Sequence, residues 1–298
     1  MKIFVTGICG RLGKAIASEA GEQGHTVVGL DLVPWPDGRI LPENVEIHQG
    51  SFEDEAILRK LLPSCEAIIN AGGPTGEQVE EVSLPGFLHA NVTCVARMLD
   101  LAVQFGVGHV ALSSTIEVLF GRDWTTSGAL VVDEDFPPRT DSAYSISRLL
   151  QEKLAQEFTR NHPIFIACLR YVSFGYHSNE ELGIQLLARH LSSRDVARAA
   201  IRAASVDGLQ GDVIHIGPKN SLTNQDILRA MKKPEEVLEK YYPGALEVLV
   251  ANGQKCKPLF FWPVTRIRKA KVLLDWAPEY TFEDWLVDHG WKGTPSTG

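Results

Sequence analysis

Long apolar runs are missing from the sequence, and so is any excess of basic residues. No apolar stretch approaches the roughly 18 residues that a membrane-spanning helix needs. The 298 residues contain 29 Lys and Arg against 37 Asp and Glu, a net charge of -8, without the basic patches typical of nucleic-acid binding. The segment before Gly7 is too short for the apolar core of a signal peptide. The sequence therefore predicts a cytoplasmic protein that binds neither membranes nor nucleic acid.

Closely spaced cysteine pairs are also lacking. The five cysteines are an odd number scattered along the chain, at Cys9, Cys65, Cys94, Cys168 and Cys256. This pattern is typical of reduced thiols in the cytosol rather than of disulfides. No spacing of His and Cys resembles that of a metal site. We therefore expect no bound metal.

Short apolar runs alternate with amphipathic stretches through the first 216 residues. The pattern predicts strands over 3–5, 26–30, 45–48, 67–69, 110–112, 164–169 and 213–215. It predicts helices over 11–22, 53–62, about 92–103, 143–160 and 193–204. Strands with few polar interruptions, separated by helices, indicate a parallel sheet that is covered on both faces. The predicted fold is a doubly wound, mostly parallel Rossmann sheet of about seven strands.

After residue 216 the alternation of strands and helices stops. Residues 217–298 are predicted to form a small, mainly helical cap together with 176–192. Residues 1–175, completed by 193–216, are predicted to form the dinucleotide-binding domain. In such folds ligands bind beyond the carboxyl ends of the strands, so we expect the site between the sheet and the cap.

A glycine cluster lies between the first predicted strand and the first predicted helix. Gly7, Gly10 and Gly13 permit a tight turn, a close approach of backbone to a pyrophosphate and close packing of the helix on the strand. The helix N-terminus offers free N–H donors to phosphates. Asp31 ends the second strand, where a carboxylate accepts hydrogen bonds from ribose hydroxyls. NAD is the predicted cofactor, and Arg11 leaves NADP open because a guanidinium can bind a 2'-phosphate.

A second group of polar residues follows the fifth strand. Ser114 and Thr115 lie at its carboxyl end, and Tyr144 and Arg148 share one face of the next long helix at i and i+4. Hydride transfer at a hydroxyl-bearing carbon needs a proton to leave that oxygen in the same event. A phenol beside a cation supplies such a base. The predicted catalytic residues are therefore Tyr144, Thr115, Ser114 and Arg148.

These residues resemble the extended short-chain dehydrogenase/reductase family, also called the NAD-dependent epimerase/dehydratase family. The resemblance covers nearly the whole chain, from the glycine cluster through Asn91 and Asp195-Val196-Ala197 to Trp276-Ala277-Pro278. It implies that Tyr144 is the general acid/base and that Thr115 or Ser114 binds the reacting oxygen. The cofactor site that it implies comprises Gly7, Cys9, Gly10, Arg11, Leu12, Gly13, Asp31, Ser51, Phe52, Ala71, Gly72, Gly73, Asn91, Tyr144, Arg148 and Tyr171.

Two positions depart from the family pattern. Arg148 stands where the family has a lysine that binds the nicotinamide ribose, favours the tyrosinate and joins a proton relay. A guanidinium can bind and carry charge, but it keeps its proton up to about pH 12 and cannot relay it. Ser51 replaces an acidic residue that often contacts adenine in the family. We expect a slower or differently relayed enzyme, or one that has lost catalysis.

The substrate is expected to be small. Thr115-Ile116-Glu117 lacks the aspartate of the family's dehydratases, and only residues 175–193 separate the sixth strand from the next helix. That leaves little room for a nucleotide clamp, so the chain resembles a compact, uronate-dehydrogenase-like branch. Candidates to hold a substrate carboxylate or hydroxyls, or else ordinary strand-end and loop residues, are Arg170, Tyr171 and His177. Trp124 and Phe136 either line the substrate pocket or cover the sheet.

Three functions remain open on the sequence. The first is an NAD-dependent oxidoreductase that acts on a small sugar-like or hydroxylated substrate. The second is an NAD-dependent sugar epimerase that uses the same residues. The third is a dinucleotide-binding protein without chemistry, suggested by Arg148. The resemblance also implies a homodimer formed through helices within about 78–105 and 143–160.

Overall fold

The computed structural model describes residues 1–36, 38, 40–123, 130–256 and 264–295. Within these ranges the strands are β1 (Lys2–Thr6), β2 (Thr26–Asp31), β3 (Val45–Gln49), β4 (Ala67–Asn70), β5 (His109–Thr115), β6 (Val131–Val132), β7 (Phe165–Tyr171), β8 (Ser173–Phe174), β9 (His190–Leu191), β10 (Gln210–Ile216) and β11 (Val264–Thr265). The α-helices are α1 (Arg11–Glu22), α2 (Glu55–Leu61), α3 (Leu84–Leu88), α4 (Cys94–Phe105), α5 (Ala143–Asn161), α6 (Asn179–Leu182), α7 (Ser193–Ala203), α8 (Asn224–Ala230), α9 (Pro234–Tyr241), α10 (Ala245–Ala251), α11 (Arg268–Leu274) and α12 (Phe282–Asp288). A π-helical turn, His89–Thr93, joins α3 to α4.

Seven strands form one parallel sheet, in the order β10-β7-β5-β4-β1-β2-β3. Every pair of neighbouring strands in this sheet runs parallel. The predicted doubly wound sheet of about seven strands is thus confirmed. The strand order reverses between β1 and β4, and the crevice outside the carboxyl ends at this point is where such folds bind ligands.

Two apolar layers cover the sheet, because successive side chains of a buried strand point to opposite faces. Ile3 and Val5 pack with α1 and α7 on one face, whereas Phe4 packs with Met98 of α4 on the other. All four of these residues are fully buried. Full burial of one such side chain contributes about 1.5–3 kcal/mol to stability. Together the buried strand residues hold the sheet in place, and with it the carboxyl edge on which the site lies.

Capping side chains set the helix starts more sharply than periodicity predicts. The sequence predicts a helix from residue 53, but α2 begins at Glu55 because the Asp54 carboxylate accepts the Ala56 N–H and ends the preceding loop. Ser192 caps α7 in the same way by accepting the Asp195 N–H. The last of the predicted strands, β10, is longer than predicted and covers Gln210–Ile216.

The described residues of the predicted cap have an apolar core of their own. Phe282, Trp285 and Leu286 of α12 are buried there with Leu249 of α10. Residues that follow β5, between 116 and 132, pack into the same core. The cap is therefore joined to the carboxyl edge of the sheet rather than tethered beside it. In the part of the chain that the structure describes, no helix is both long and apolar enough to cross a bilayer.

Candidate active site

A cavity of about 1190 Å³ lies along the carboxyl ends of the parallel strands. It exceeds the roughly 300–1,000 Å³ of a pocket for one small ligand, so it has room for a dinucleotide and a second molecule. The predicted site residues that line it are Gly7, Cys9, Gly10, Arg11, Leu12, Asp31, Ser51, Phe52, Ala71, Gly72, Gly73, Ser114, Thr115, Tyr144, Arg148 and Tyr171.

In the glycine turn after β1, the positions of Gly7 and Gly13 leave no space for a side chain. Gly7 has φ +67°, and an added Cβ would lie 2.7 Å from the Cα atom of Gly72. At Gly13 an added Cβ would lie 2.2 Å from the Gly7 carbonyl oxygen. Gly13 does not line the cavity and packs α1 against the turn, so its contact with the cofactor stays a prediction.

The first turn of α1 fits a phosphate. Gly10 precedes the helix, and no side chain caps it, so the first N–H groups keep their donors available. The first turn carries no acidic residue that would repel an anion. A pyrophosphate at this helix end would complete the hydrogen bonds that a side-chain cap supplies elsewhere.

Asp31 is held at the cavity wall by two backbone groups. One carboxylate oxygen accepts the Cys9 N–H at 2.8 Å and the other accepts the Val33 N–H at 3.2 Å. A carboxylate at the end of β2 is the group expected to meet the ribose of a dinucleotide. Burial, and then the charge of Asp31, raise the pKa of the Cys9 thiol, so Cys9 stays a neutral packing residue.

Tyr144 and Arg148 lie on adjacent turns of α5 beside the end of β5. The Arg148 guanidinium donates to the Ser113 carbonyl oxygen and to Gln151 Oε1, both at 3.0 Å. Its central carbon lies 5.4 Å from the centre of the Tyr144 ring, within the range of a cation–π contact. Both residues line the cavity although little of either is exposed. The arginine is therefore a fixed positive charge beside the phenol.

Ser114 and Arg170 both bind a buried carboxylate, and Ser114 also lines the cavity. The Ser114 hydroxyl donates to Glu152 Oε1 at 2.6 Å, and Arg170 makes two hydrogen bonds to the same carboxylate at 2.8 and 2.7 Å. The exposed fractions of the Arg170 and Glu152 side chains are 4% and 2%. Alternate strand residues point to opposite faces, so Ser114 points to α5. The Ser114 hydroxyl is therefore engaged by Glu152, and its catalytic role stays a prediction. Arg170 does not line the cavity and belongs to this buried ion pair, as the strand-end alternative expects.

Thr115 is the hydroxyl at the end of β5 that keeps the predicted position. It lines the cavity, and its oxygen accepts the Glu117 N–H at 3.1 Å. That bond uses an oxygen lone pair and leaves the hydroxyl proton available to donate. Thr115 can therefore donate to a substrate oxygen at the Tyr144 end of the cavity.

Glu117 also lines this end of the cavity, and the sequence analysis gave it no role. An added Cβ at Gly76 would lie 3.1 Å from each Glu117 carboxylate oxygen and 3.2 Å from Cδ1 of Tyr144. The carboxylate and the phenol ring therefore approach the same point. Burial, and secondarily Asp141, raise the pKa of Glu117. The signal in the sequence that points to Glu117 is its position two residues beyond Thr115, just after the end of a strand.

Arg11, the first residue of α1, meets Glu77 and Tyr176 from two other segments that line the cavity; below we call these three residues the Arg11 bridge. The Arg11 guanidinium lies 2.7 Å from Glu77 Oε1 and 3.1 Å from the Tyr176 hydroxyl, and it stacks over the Tyr176 ring at 4.1 Å. Burial and the Glu77 carboxylate raise the pKa of Tyr176 to about 12. The Tyr176 hydroxyl and Arg11 lower the pKa of Glu77. Arg11 therefore lies at the cofactor end and is bound there to Glu77 and Tyr176.

Of two further predicted residues, Asn91 lies outside the cavity and Tyr171 lines it. Asn91 does not line the cavity, because its amide donates to the buried Ser147 hydroxyl at 2.9 Å and ties the π-helical turn to α5. The direct contact of Asn91 with the cofactor stays a prediction. Tyr171 does line the cavity, and burial raises the pKa of its phenol.

The remaining predictions concern the cap side. His177 does not line the cavity and lies against His190, with ring centres 5.7 Å apart. Phe136 does not line it either, because its ring packs under Arg122 at 4.9 Å. Trp124 lies outside the described residues. Arg189, which the sequence analysis missed, lines the cavity beside Ala188, and burial lowers its pKa.

Comparisons with known proteins find relatives along the whole chain and solved structures of the same fold. The chain is 24% identical to a UDP-glucuronate 4-epimerase of Thermodesulfobacterium geofontis, with 95% of this chain and 93% of the relative covered. Two solved structures share the fold. MoeE5 in complex with UDP-glucose and NAD has a TM-score of 0.69 at 21% identity, with 98% of both chains covered. Glucuronic acid dehydrogenase from Chromohalobacter salexigens has a TM-score of 0.68 at 20% identity, with 98% and 90% covered.

A family model gives the assignment. Residues 3–192, well over half of the chain, match the model of the NAD dependent epimerase/dehydratase family. This range contains the glycine turn, Asp31, Thr115, Tyr144 and Arg148. The chain is thus an NAD-dependent enzyme of the extended short-chain dehydrogenase/reductase type, and it belongs to the NAD dependent epimerase/dehydratase family.

Proposed function

We propose that this protein is an NAD-dependent oxidoreductase that acts on a hydroxyl-bearing carbon of a small, anionic sugar-like substrate. One observation carries the proposal: a single cavity joins the glycine turn and Asp31 to Thr115, Tyr144 and Arg148. The first group suits a dinucleotide, and the second suits proton transfer at a substrate hydroxyl. A cavity with both is suited to oxidation of an alcohol.

The cofactor end selects NAD by charge. Gly7, Gly10 and the first turn of α1 would hold the pyrophosphate, and Asp31 would bind the adenosine ribose and repel a 2'-phosphate. When bound, NAD supplies the hydride acceptor. Every other step of the proposed reaction belongs to side chains of this chain.

The other end of the cavity moves the proton. The Tyr144 phenolate takes the proton of the substrate hydroxyl, while Thr115 donates a hydrogen bond to the same oxygen. Arg148 holds positive charge beside the phenol but cannot carry the proton away. Glu117 lines the same end, and its raised pKa allows it to hold a proton. We infer that this carboxylate takes the relay role of the family lysine.

The cap side is suited to an anion. Arg189 lines the cavity from the segment that precedes α7, where burial strengthens its attraction to a carboxylate or phosphate. The short segment 175–193 does not by itself restrict the substrate to a free sugar acid. MoeE5, of which 98% is covered, is described in complex with UDP-glucose. A nucleotide sugar is therefore the alternative substrate class.

An NAD-dependent epimerase is the second candidate function. The named epimerase relative aligns over 95% of this chain and 93% of its own length. The same Tyr144, Thr115 and Arg148 would serve a transient oxidation followed by return of the hydride to the other face. Net NADH then does not accumulate.

A substrate panel separates the candidates. Purified protein with NAD is offered glucuronate, galacturonate, UDP-glucuronate and UDP-glucose, and NADH absorbance and sugar products are followed. NADH that accumulates with a free uronate supports the main proposal, and NADH with a UDP-sugar supports the nucleotide-sugar class. An epimeric product without NADH supports the second candidate. No product from any substrate, despite measured NAD binding, would refute both.

We also infer that the protein acts as a homodimer. Ile146 and Leu150 of α5 are 36% and 44% exposed, and Leu84 of α3 is 40% exposed. Apolar side chains on one helix face favour burial against a second copy. Light scattering on the purified protein tests this inference: a monomer mass at micromolar concentration would refute it, and Leu150→Lys should weaken a dimer.

A further inference from the structure

A thiol, an imidazole and a carboxylate converge at the turn between α3 and α4, outside the catalytic end of the cavity. Nε2 of His89 lies 3.4 Å from Sγ of Cys94 and 3.5 Å from Oε2 of Glu53. One ligand atom from each residue lies within 4.8 Å of the other two. The proposed function uses none of these three side chains.

The π-helical turn explains why His89 and Cys94 meet. On a regular α-helix, residues five apart point about 140° away from each other. Here the Cys94 N–H donates to the His89 carbonyl oxygen, which is the i to i+5 bond of a π turn. That bond brings the two side chains onto one face. π turns inside helices often mark functional sites.

The ligand types, and the two edges that meet at His89, fit a tetrahedral zinc ion. With Zn–S about 2.3 Å and Zn–N and Zn–O about 2.0–2.2 Å, tetrahedral angles place S and N about 3.6 Å apart and N and O about 3.4 Å apart. The observed 3.4 Å and 3.5 Å agree with these edges to within about 0.2 Å. Thiolate and imidazole together favour Zn²⁺ over the hard cations Mg²⁺ and Ca²⁺.

The burial pattern provides a route for the ion. Cys94 is fully buried, whereas the His89 and Glu53 side chains are 53% and 43% exposed. An ion among them would have the thiolate on its inner side and an open fourth position toward solvent, which water can fill. The charged neighbours are Arg97, which donates to the Glu53 carbonyl oxygen at 3.2 Å, and Glu55, 3.8 Å from Arg97. Glu55 offsets the charge of Arg97.

We propose that Glu53, His89 and Cys94 form a zinc site at the π-helical turn, with water as the fourth ligand. Binding forms a Zn–S bond and releases the thiol proton to solvent. Glu53 also lines the cofactor cavity next to Ser51 and Phe52. The proposed ion therefore lies behind the cofactor end, and it takes no part in the proposed hydride transfer.

Metal titration of tag-free, EDTA-treated protein tests the proposal. We expect one Zn²⁺ per chain by calorimetry, with affinity at least about 100-fold lower in His89→Gln, since loss of even outer-shell partners costs about 10–100-fold. Co²⁺ should give a thiolate-to-metal charge-transfer band that Cys94→Ser abolishes. Because Cys94 is buried and its variant can fail to fold, the surface variants His89→Gln and Glu53→Gln keep the test decisive.

Matched controls guard against adventitious binding. His109→Gln removes a surface imidazole that lies 2.8 Å from Asp207, and Cys65→Ser removes another buried thiol. Both should bind Zn²⁺ like the wild type. The proposal is overturned if His89→Gln binds Zn²⁺ as tightly as the wild type, or if bound Co²⁺ shows no thiolate band.

Discussion

Beneath its glycine turn the cofactor end of the cavity rests on backbone and neutral side chains, whereas buried charges lie beneath its substrate end. Beneath the glycine turn, the Thr6 hydroxyl donates to Asn70 Oδ1 at 2.6 Å and accepts the Gly72 N–H at 3.1 Å. Beneath Tyr144, by contrast, Glu152 and Arg170 form an ion pair with almost no exposure. An end built from backbone depends on glycine positions, and an end built from charges depends on every partner being present.

The largest effect is expected at the phenol of the substrate end. Tyr144→Phe should lower kcat about 10³-fold, because it removes the proposed general base and keeps the ring contact with Phe87. The affinity for NAD should change less than about twofold, since the glycine turn and Asp31 are untouched. Steady-state kinetics and NAD titration measure the two quantities. Tyr280→Phe, in the cap, is the control, and equal kcat in the two variants would remove Tyr144 from the mechanism.

The buried ion pair should matter next, through stability. Glu152→Gln leaves the Arg170 charge uncompensated and should lower the free energy of unfolding by about 3 kcal/mol. Urea denaturation measures this change. Glu157→Gln on the same helix breaks an exposed pair with Arg160 and should cost under about 0.5 kcal/mol. Equal losses in the two variants would show that the charges beneath Tyr144 are not special.

A smaller effect concerns acid stability at the same end. Burial, and then the charge of Arg170, lower the pKa of His215 to about 3. The unfolded chain takes up the imidazole proton below about pH 6.5 and the folded protein does not, so stability falls as pH falls through this window. Between pH 7 and pH 5 the wild type should lose about 2 kcal/mol more than His215→Gln. Urea denaturation at both values tests this, and an equal loss would contradict it; His109→Gln should behave like the wild type.

The smallest effect is expected at the cofactor end. Asp31→Ala should weaken NAD binding about 10-fold, the loss of one charge-assisted hydrogen bond of about 1.4 kcal/mol. Binding of NADP should improve relative to NAD, because the negative charge that repels a 2'-phosphate is removed. Fluorescence titration with both dinucleotides measures the ratio, with Glu46→Ala on the surface of β3 as the control. An unchanged ratio would mean that Asp31 does not select the cofactor.

The two ends also differ in how well the sequence predicts them. The sheet, the glycine turn and the place of Asp31 follow from local spacing, because strand, turn and helix are consecutive in the chain. The pairing of Ser114 and Arg170 with Glu152 joins residues 38 and 18 positions apart. Nothing in the local pattern shows which strand face each occupies, so the sequence left Arg170 open between a substrate contact and an ordinary strand-end residue.

The π-helical turn shows a second limit. A five-residue spacing of His89 and Cys94 is not a metal-site pattern on an α-helix, so the sequence gives no sign of the zinc site that we propose. Only the i to i+5 bond makes the spacing meaningful. Departures from regular helix geometry are set by tertiary contacts such as Asn91 with Ser147, which a single sequence does not display.

The Arg11 bridge has a consequence for the timing of catalysis. Its charged members are only part-buried, with 38% of the Arg11 side chain and 48% of the Glu77 side chain exposed, so dissolved ions screen their attraction. We expect a dinucleotide bound at the first turn of α1 to lie beside Arg11, so that opening of the Arg11 bridge would ease its release. We therefore expect the rate of dinucleotide release to depend on ionic strength, with slow release in dilute buffer and faster release in concentrated salt.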